Sequence, residues 1–345
     1  MRTSKKLARS GEAGMRTECI AYASRVDGTG PLLADVAMTP DGKPKPLLAV
    51  MHGYNGSKAD VARDVRELAP AGVVAVAPDM RGRGQSAGRW DSGGLDVHDI
   101  LDAVLETVRR YPGEIDARNL NIVGYSGGGA NAVGCAVRFP DFFQTCVSFF
   151  GLSDYAEWYR SKARPDCNEV MDQVLGGGPD AVPEVYAARC ATAAAGNAIS
   201  RLHFFWDSEE TICPPAIIQD FLEAHRRAGG ATPAVHISKP GDARRWHHGY
   251  RTDNPDLGAA DAVFLPDVLS VKRASPALPP RGRLAVTGYL VTRRFSVWIE
   301  DAKKGAVKGR VTVEYDLTGD KPAVKVVDNP RGYRVAIETS KERNL

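Results

Sequence analysis

Leu120-Asn121-Ile122-Val123-Gly124-Tyr125-Ser126-Gly127-Gly128-Gly129-Ala130-Asn131 is the stretch that decides the fold of this chain. Leu120 to Val123 have buried-strand character and lead into Gly124-x-Ser126-x-Gly128. An apolar helical pattern follows at Ala132, Val133, Cys135 and Ala136. A strand that turns this sharply into a helix strains the residue at the crest. Side chains two positions to either side would collide with the turn, so glycine is needed at 124 and 128. The Ser126 hydroxyl is thereby exposed, with free N–H groups and the positive end of the helix dipole behind it. A serine in this strand-turn-helix context is a candidate nucleophile.

Outward from that stretch, strands alternate with helices. Short strands are expected over Glu18 to Ser24 and Leu32 to Met38. Leu47 to Met51 is an apolar run typical of a strand covered on both faces. Ser57 is expected to cap a helix carrying Val61, Val65 and Leu68. A strand over Val73 to Ala77 and an amphipathic helix over Leu95 to Arg110 precede the serine. After it come strands over Thr145 to Phe150, Leu202 to Trp206 and Ala234 to Ser238, with helices over Pro214 to Arg227 and Asp256 to Leu269. This rhythm predicts an α/β, doubly wound, mostly parallel sheet with right-handed crossovers. Residues 152–199 break the rhythm and read as a lid-like helical insertion.

Ser275 to Pro280 opens a stiff proline-rich linker, taken over 274–282. Beyond it the period changes. Phe295 to Ile299, Val311 to Leu317 and Tyr333 to Ile337 alternate as strands with one buried face, which predicts a small C-terminal antiparallel β module over 283–340. Tyr289 and Trp298 read as packing residues within it. The domain plan is a basic tail over 1–17, a catalytic domain over 18–273, the linker and the module.

The 345 residues are 43% hydrophobic and 25% charged, which suits a globular protein. No apolar run reaches the ~18–20 residues of a membrane span. Residues 1–14 are basic but have no apolar segment behind them, so no complete secretory signal is present; the expectation is cytoplasmic, or secreted if the native N-terminus was trimmed. The six cysteines are scattered, and Cys135 and Cys146 fall in core patterns. Residues 271–345 carry 16 Lys and Arg against 8 Asp and Glu, so a basic C-terminal piece accompanies an acidic body. The two are expected to dock on each other.

A serine hydroxyl needs a base, and the base needs a carboxylate, here in chain order serine, acid, histidine. Of the downstream histidines, only His247 and His248 lie in a loop after the last strand. His248 is preferred because Gly249 lets the backbone turn; His247 is the alternative. The acid should follow the strand over Leu202 to Trp206. Glu210 is preferred because Cys213 and Pro214 fix its loop; Asp207 and Asp154 are the alternatives. The oxyanion hole is expected from the N–H groups of Gly127 and Tyr54. Tyr54 is also expected to wall the substrate pocket, with Tyr125 and Trp158. Trp90, Tyr155 and Tyr159 extend the aromatic surface. His52 reads as structural, and Asp79 and Arg81 as residues pinning their loop to the elbow. No metal site is expected, since His247-His248 lacks partners at ligand spacing, and no cofactor.

Over roughly residues 18–270 the chain resembles the α/β-hydrolase superfamily, and within it the prolyl-oligopeptidase and dienelactone-hydrolase-like branch. The resemblance rests on the elbow at Gly124 to Gly128, Pro140-Asp141-Phe142-Phe143, Gly151-Leu152-Ser153-Asp154, Pro183-Glu184-x-Tyr186, the Glu210-to-Pro214 turn and His248-Gly249-Tyr250. His52-Gly53-Tyr54 and the Glu210-to-Pro214 turn also look like polyester-cleaving cutinase-type enzymes. Glutamate stands where the family uses aspartate, the N-terminal propeller of prolyl peptidases is absent, and the C-terminal module is not part of the common core. The resemblance implies a serine carboxylesterase working through an acyl-enzyme on Ser126. The alternatives are an aminopeptidase or amidase of the same branch, and a catalytically retired fold used for binding. The expected partner is a small or polymeric ester. Neither nucleic acid nor membrane is expected, and the C-terminal module offers a surface for a homo-oligomer.

Overall fold

The structure, a computed structural model, describes residues 14–270 and 276–340. Its larger sheet is built from β1 (Arg16–Tyr22), β2 (Leu32–Met38), β3 (Lys45–Met51), β4 (Val74–Pro78), β5 (Ile115–Tyr125), β6 (Phe143–Phe149), β7 (Arg201–Asp207) and β8 (Ala234–Ser238). The spatial order is β1-β2-β4-β3-β5-β6-β7-β8. β1 and β2 form an antiparallel edge, and every pairing from β4 onward is parallel. β3, β4 and β6 are buried at every position, because helices cover both faces.

The helices that do so include α1 (Ala62–Leu68), α2 (Leu95–Arg110) and α3 (Gly127–Arg138). Strand order reverses around β3: the chain steps outward to β4, then returns past β3 to β5. At such a switch point the loops leaving the carboxyl ends of two neighbouring strands part and leave a crevice. Here those loops follow Met51 and Tyr125, with Met51 opposite Gly124 in register.

The insertion folds as α4 (Tyr155–Ser161), α5 (Pro165–Leu175), α6 (Pro183–Ala187) and a 3-10 segment, Thr192–Asn197. It encloses a second apolar cluster at the carboxyl end of the sheet, including Tyr54, Trp158, Cys167, Met171 and Cys213. α7 (Pro215–Arg227) and α8 (Asp261–Val268) complete the first layer set. No helix among the described residues is long and apolar enough to cross a membrane.

The second sheet comprises β9 (Arg281–Thr287), β10 (Tyr289–Val291), β11 (Phe295–Ile299), β12 (Arg310–Asp316), β13 (Ala323–Asp328) and β14 (Val335–Thr339), in the order β13-β12-β9-β10-β11-β14 and antiparallel throughout. It leans on the larger sheet. Tyr289, Val291 and Trp298 join the main core, while Val297, Phe295 and Val313 form the module's own. Asn197 Nδ2 donates to Ala285 O (2.7 Å), and Asn197 Oδ1 accepts from Ala285 N (3.0 Å). Asp141 accepts the Arg293 N–H, and Tyr289 donates its hydroxyl to Gly94 O at 3.0 Å.

Several boundaries differ from the sequence expectation. β1 starts at Arg16, inside the tail taken as 1–17, and β9 starts at Arg281, inside the linker taken to 282. Residues 274 and 275 of that linker lie outside the described residues. Ser57 does not cap α1. Its N–H instead donates to Asp60 Oδ2 at 2.8 Å, and Val61 is the cap position. β11 is buried on both faces rather than one, because the main domain covers the face carrying Ser296 and Trp298.

Candidate active site

The elbow has the strain its sequence demands. Ser126 sits at φ 55°, ψ −118°, between the end of β5 and the start of α3. This is a sparsely populated conformation for a residue with a Cβ, and it persists only where the surroundings enforce it. They do: Ser126 N–H donates to Phe149 O on β6 (3.0 Å), and Ser126 O accepts from Ala130 N (3.0 Å). A Cβ on Gly124 would collide with the carbonyl of Gly128, and one on Gly128 with the carbonyl of Met51.

His248 lies in the loop after β8, its ring tilted against Phe150 at 4.5 Å. Its Nδ1 is 3.0 Å from Glu210 Oε2. With the carboxylate ionised, Nδ1 must donate, which leaves Nε2 as the free acceptor. The other oxygen, Glu210 Oε1, accepts the N–H groups of Ile212 (2.6 Å) and Cys213 (2.9 Å). Burial disfavours charge on Glu210, but the imidazole and these two N–H groups outweigh it and hold the carboxyl below the usual glutamate range. Ser126 and His248 face one cavity of about 320 Å3, walled by Tyr54, Trp158, Arg164 and Tyr250. The serine hydroxyl rests against Cys213 Sγ at 3.8 Å, and a Ser126–His248 hydrogen bond is not formed in this arrangement. Catalytic hydrogen bonds of this kind commonly close only around a bound substrate.

Two backbone donors meet beside the serine. A Cβ on Gly127 would stand 2.6 Å from Tyr54 N, so the two main chains touch there. Gly127 N–H belongs to the open first turn of α3, and neither it nor Tyr54 N–H is engaged among the described residues. The loop carrying Tyr54 is held by His52. Its Nδ1 donates to Gly53 O (2.9 Å) and its Nε2 accepts the Met80 N–H (3.1 Å). Burial pushes the imidazole's pKa down to about 4, so it is neutral and structural.

The other candidates are otherwise engaged. Asp207 is gripped by Arg245 through both oxygens and also accepts from Ser238. His247 is exposed, 3.9 Å from Asp207. Asp154 caps α4 by accepting from Ala156 and Glu157. Tyr125 borders the cavity, but its side chain is wholly buried and its hydroxyl bonds Asp64 and Arg251, because strand alternation turns it away from the serine's side. Trp158 packs edge-on against Tyr54 at 5.4 Å and donates Nε1–H to Ile212 O. Asp79 and Arg81 do not reach the elbow. Asp79 accepts the N–H groups of Lys58 and Gln85, and Arg81 pairs with Asp99 on α2 and Asp27.

Sequence reasoning did not foresee that Cys213 rests against the Ser126 hydroxyl or that Tyr250 reaches the loop of Tyr54. Nothing in their local pattern signals partners 87 and 197 positions away. A larger cleft of about 520 Å3 lies between α2 and the second sheet, lined by His98, Asp102 and Trp298 among others, with no serine or cysteine on its wall. Among the described residues no group of three or more His, Cys, Asp or Glu could hold a metal ion.

Comparison with known proteins agrees with this architecture. Residues 42–171 match the family model described as serine aminopeptidase, S33. Over 123 residues the chain is 31% identical to the uncharacterized peptidase YtmA of Bacillus subtilis (strain 168), a match covering 36% of this chain and 46% of that protein. The acylaminoacyl peptidase of Pyrococcus horikoshii superposes with a TM-score of 0.60 at 19% identity, over 76% of this chain and 43% of that one. An esterase of Pyrococcus furiosus superposes with a TM-score of 0.55 at 13% identity, over 74% of this chain and 92% of that one. The chain thus spans less than half the length of the two peptidases it matches. A sheet switching order at β3, a strained serine between β5 and α3, and these likenesses together give the chain the α/β-hydrolase fold.

Proposed function

We propose that the chain is a serine hydrolase that cleaves carboxylic esters through an acyl-enzyme on Ser126. The observation that carries this is the Glu210–His248 pair, 3.0 Å apart and facing the cavity that holds Ser126 beside two unengaged N–H donors. Ser126 Oγ attacks the ester carbonyl and passes its proton to His248 Nε2. Glu210 stabilises the imidazolium and fixes the tautomer. The carbonyl oxygen, now negative, accepts from Tyr54 and Gly127 N–H, each donor contributing about 3 kcal/mol to the barrier reduction. The imidazolium then protonates the departing alkoxide. Water, deprotonated by His248, attacks the acyl-enzyme and releases the acid.

The aromatic wall of Tyr54, Trp158 and Tyr250 suits short or aromatic acyl groups. Esters also make the smaller demand, since an alkoxide leaves more readily than an amine. A second reading, an aminopeptidase or amidase, is favoured by the S33 match and by the Asp60 carboxylate on the cavity wall, which could receive a substrate ammonium. Turnover of p-nitrophenyl acetate and butyrate set against aminoacyl p-nitroanilides separates the two. Faster turnover of the anilides would replace the first reading with the second. Ser126→Ala should abolish either activity, and unchanged turnover would refute both.

A further inference from the structure

We propose that Tyr250 is a positioning residue that aims the Tyr54 oxyanion donor by tying its loop to the loop of the base; this rests on the serine-hydrolase reading above. Its hydroxyl oxygen accepts the Gly53 N–H at 2.8 Å. The loop is shaped around that oxygen: a Cβ on Gly53 would lie 2.8 Å from it, and a Cβ on Gly56 2.7 Å. Two glycines therefore make room for one phenol.

The consequence for Tyr54 follows from peptide planarity. Gly53 C=O and Tyr54 N–H belong to one rigid plane and point opposite ways. That carbonyl accepts from His52 Nδ1 (2.9 Å) and from Gly56 N–H (3.0 Å), while Tyr250 holds the amide on the other side of Gly53. Glycine would otherwise let this plane turn over. Gripped on both sides, Gly53 presents the Tyr54 N–H in one direction only.

Tyr250 is itself anchored. Its ring meets Tyr125 edge-on at 5.9 Å, and its neighbour Arg251 is buried in ion pairs with Asp64 (2.7 Å) and Asp261. Burial pushes the phenol up to about 12, so it stays protonated over the working range. The base, two residues earlier, and the oxyanion donor are thus placed by one short segment.

Tyr250→Phe keeps the ring and removes the acceptor. On p-nitrophenyl acetate, kcat should fall roughly 10- to 100-fold with KM within about threefold. Affinity for an aryl trifluoromethyl ketone, whose serine adduct carries the oxyanion, should fall by the same factor. A merely structural role would lower the melting temperature and leave the kcat of the folded fraction and the inhibitor affinity alone, and that result overturns the proposal. Should Tyr250→Phe fail to fold, Gly53→Ala, whose Cβ would meet the phenol oxygen at 2.8 Å and nothing else nearer than 3.6 Å, should give the same kcat loss; wild-type kcat there also overturns it. Ser126→Ala separates the two levels. If it remains active the serine reading fails, whereas if it is dead and Tyr250→Phe is fully active only the present proposal fails.

Discussion

Glu210 holds His248 with one carboxylate oxygen and its own turn with the other. The acid is therefore fixed in place before any substrate arrives. Glu210→Gln keeps the size of the side chain but presents an amide to Nδ1, so the imidazole loses its tautomer control. Turnover of p-nitrophenyl acetate should fall about a thousandfold or more, with a change in melting temperature small enough for the folded protein to be assayed. Loss of less than tenfold would return Asp207 to consideration as the acid.

His52 links folding to acid. In the folded chain it stays neutral down to about pH 4, while its ordinary value is 6.5. Between those values the unfolded chain binds the extra proton, so stability falls as pH drops through the window, by roughly 3 kcal/mol at its foot. His52→Gln should be less stable than the parent at pH 7, and the gap should narrow toward pH 4.5. Urea melts of both proteins at a series of pH values measure this; a constant gap would contradict it.

The elbow glycines should be intolerant of even one methyl group. At Gly124 and Gly128 the obstruction is backbone, which cannot step aside as a flexible side chain can. Gly124→Ala and Gly128→Ala should each cost about 3 kcal/mol or more and show as lost soluble yield. Gly113 has open space around it, and Gly113→Ala should stay within about 1 kcal/mol of the parent in the same denaturant titration.

The second sheet should unfold together with the first. Asn197→Ala removes bonds to Ala285 and Val137 at a buried seam, leaving their partners unsatisfied. A loss of about 2 kcal/mol is expected, as one shifted transition rather than two. Calorimetry resolving a separate low-temperature transition would show the sheets to be independent. Catalytic constants at 25 °C should be unchanged, since the seam lies away from Ser126.

Much of this was legible in the residues because the relevant forces are local. α2 is bounded as its sequence suggests, since its apolar spacing runs between Gly93-Gly94 and Pro112-Gly113. β8 and β11 are bounded by their alternation. The elbow is legible because its glycines answer a steric demand within five residues. What escaped depends on distant partners. β11 looks one-sided in sequence, and only docking on the main domain buries its second face. Tyr125 stands next to the nucleophile in the chain yet faces Asp64 and Arg251. Arg81 was expected at the elbow and is claimed by Asp99 instead. Tyr250 meets Gly53 across 197 positions, and no local pattern announces that meeting.

Trp298 and Tyr289 also bear on how the molecule is made. They complete the main core from the last quarter of the chain, packing beside His98 of α2 and, in the case of Tyr289, beside Phe139. During synthesis the strands of the large sheet leave the ribosome before the residues that cover that flank. The nascent chain therefore carries an uncovered apolar flank until those later residues follow. A core begun by the early strands is sealed by side chains made more than a hundred residues later.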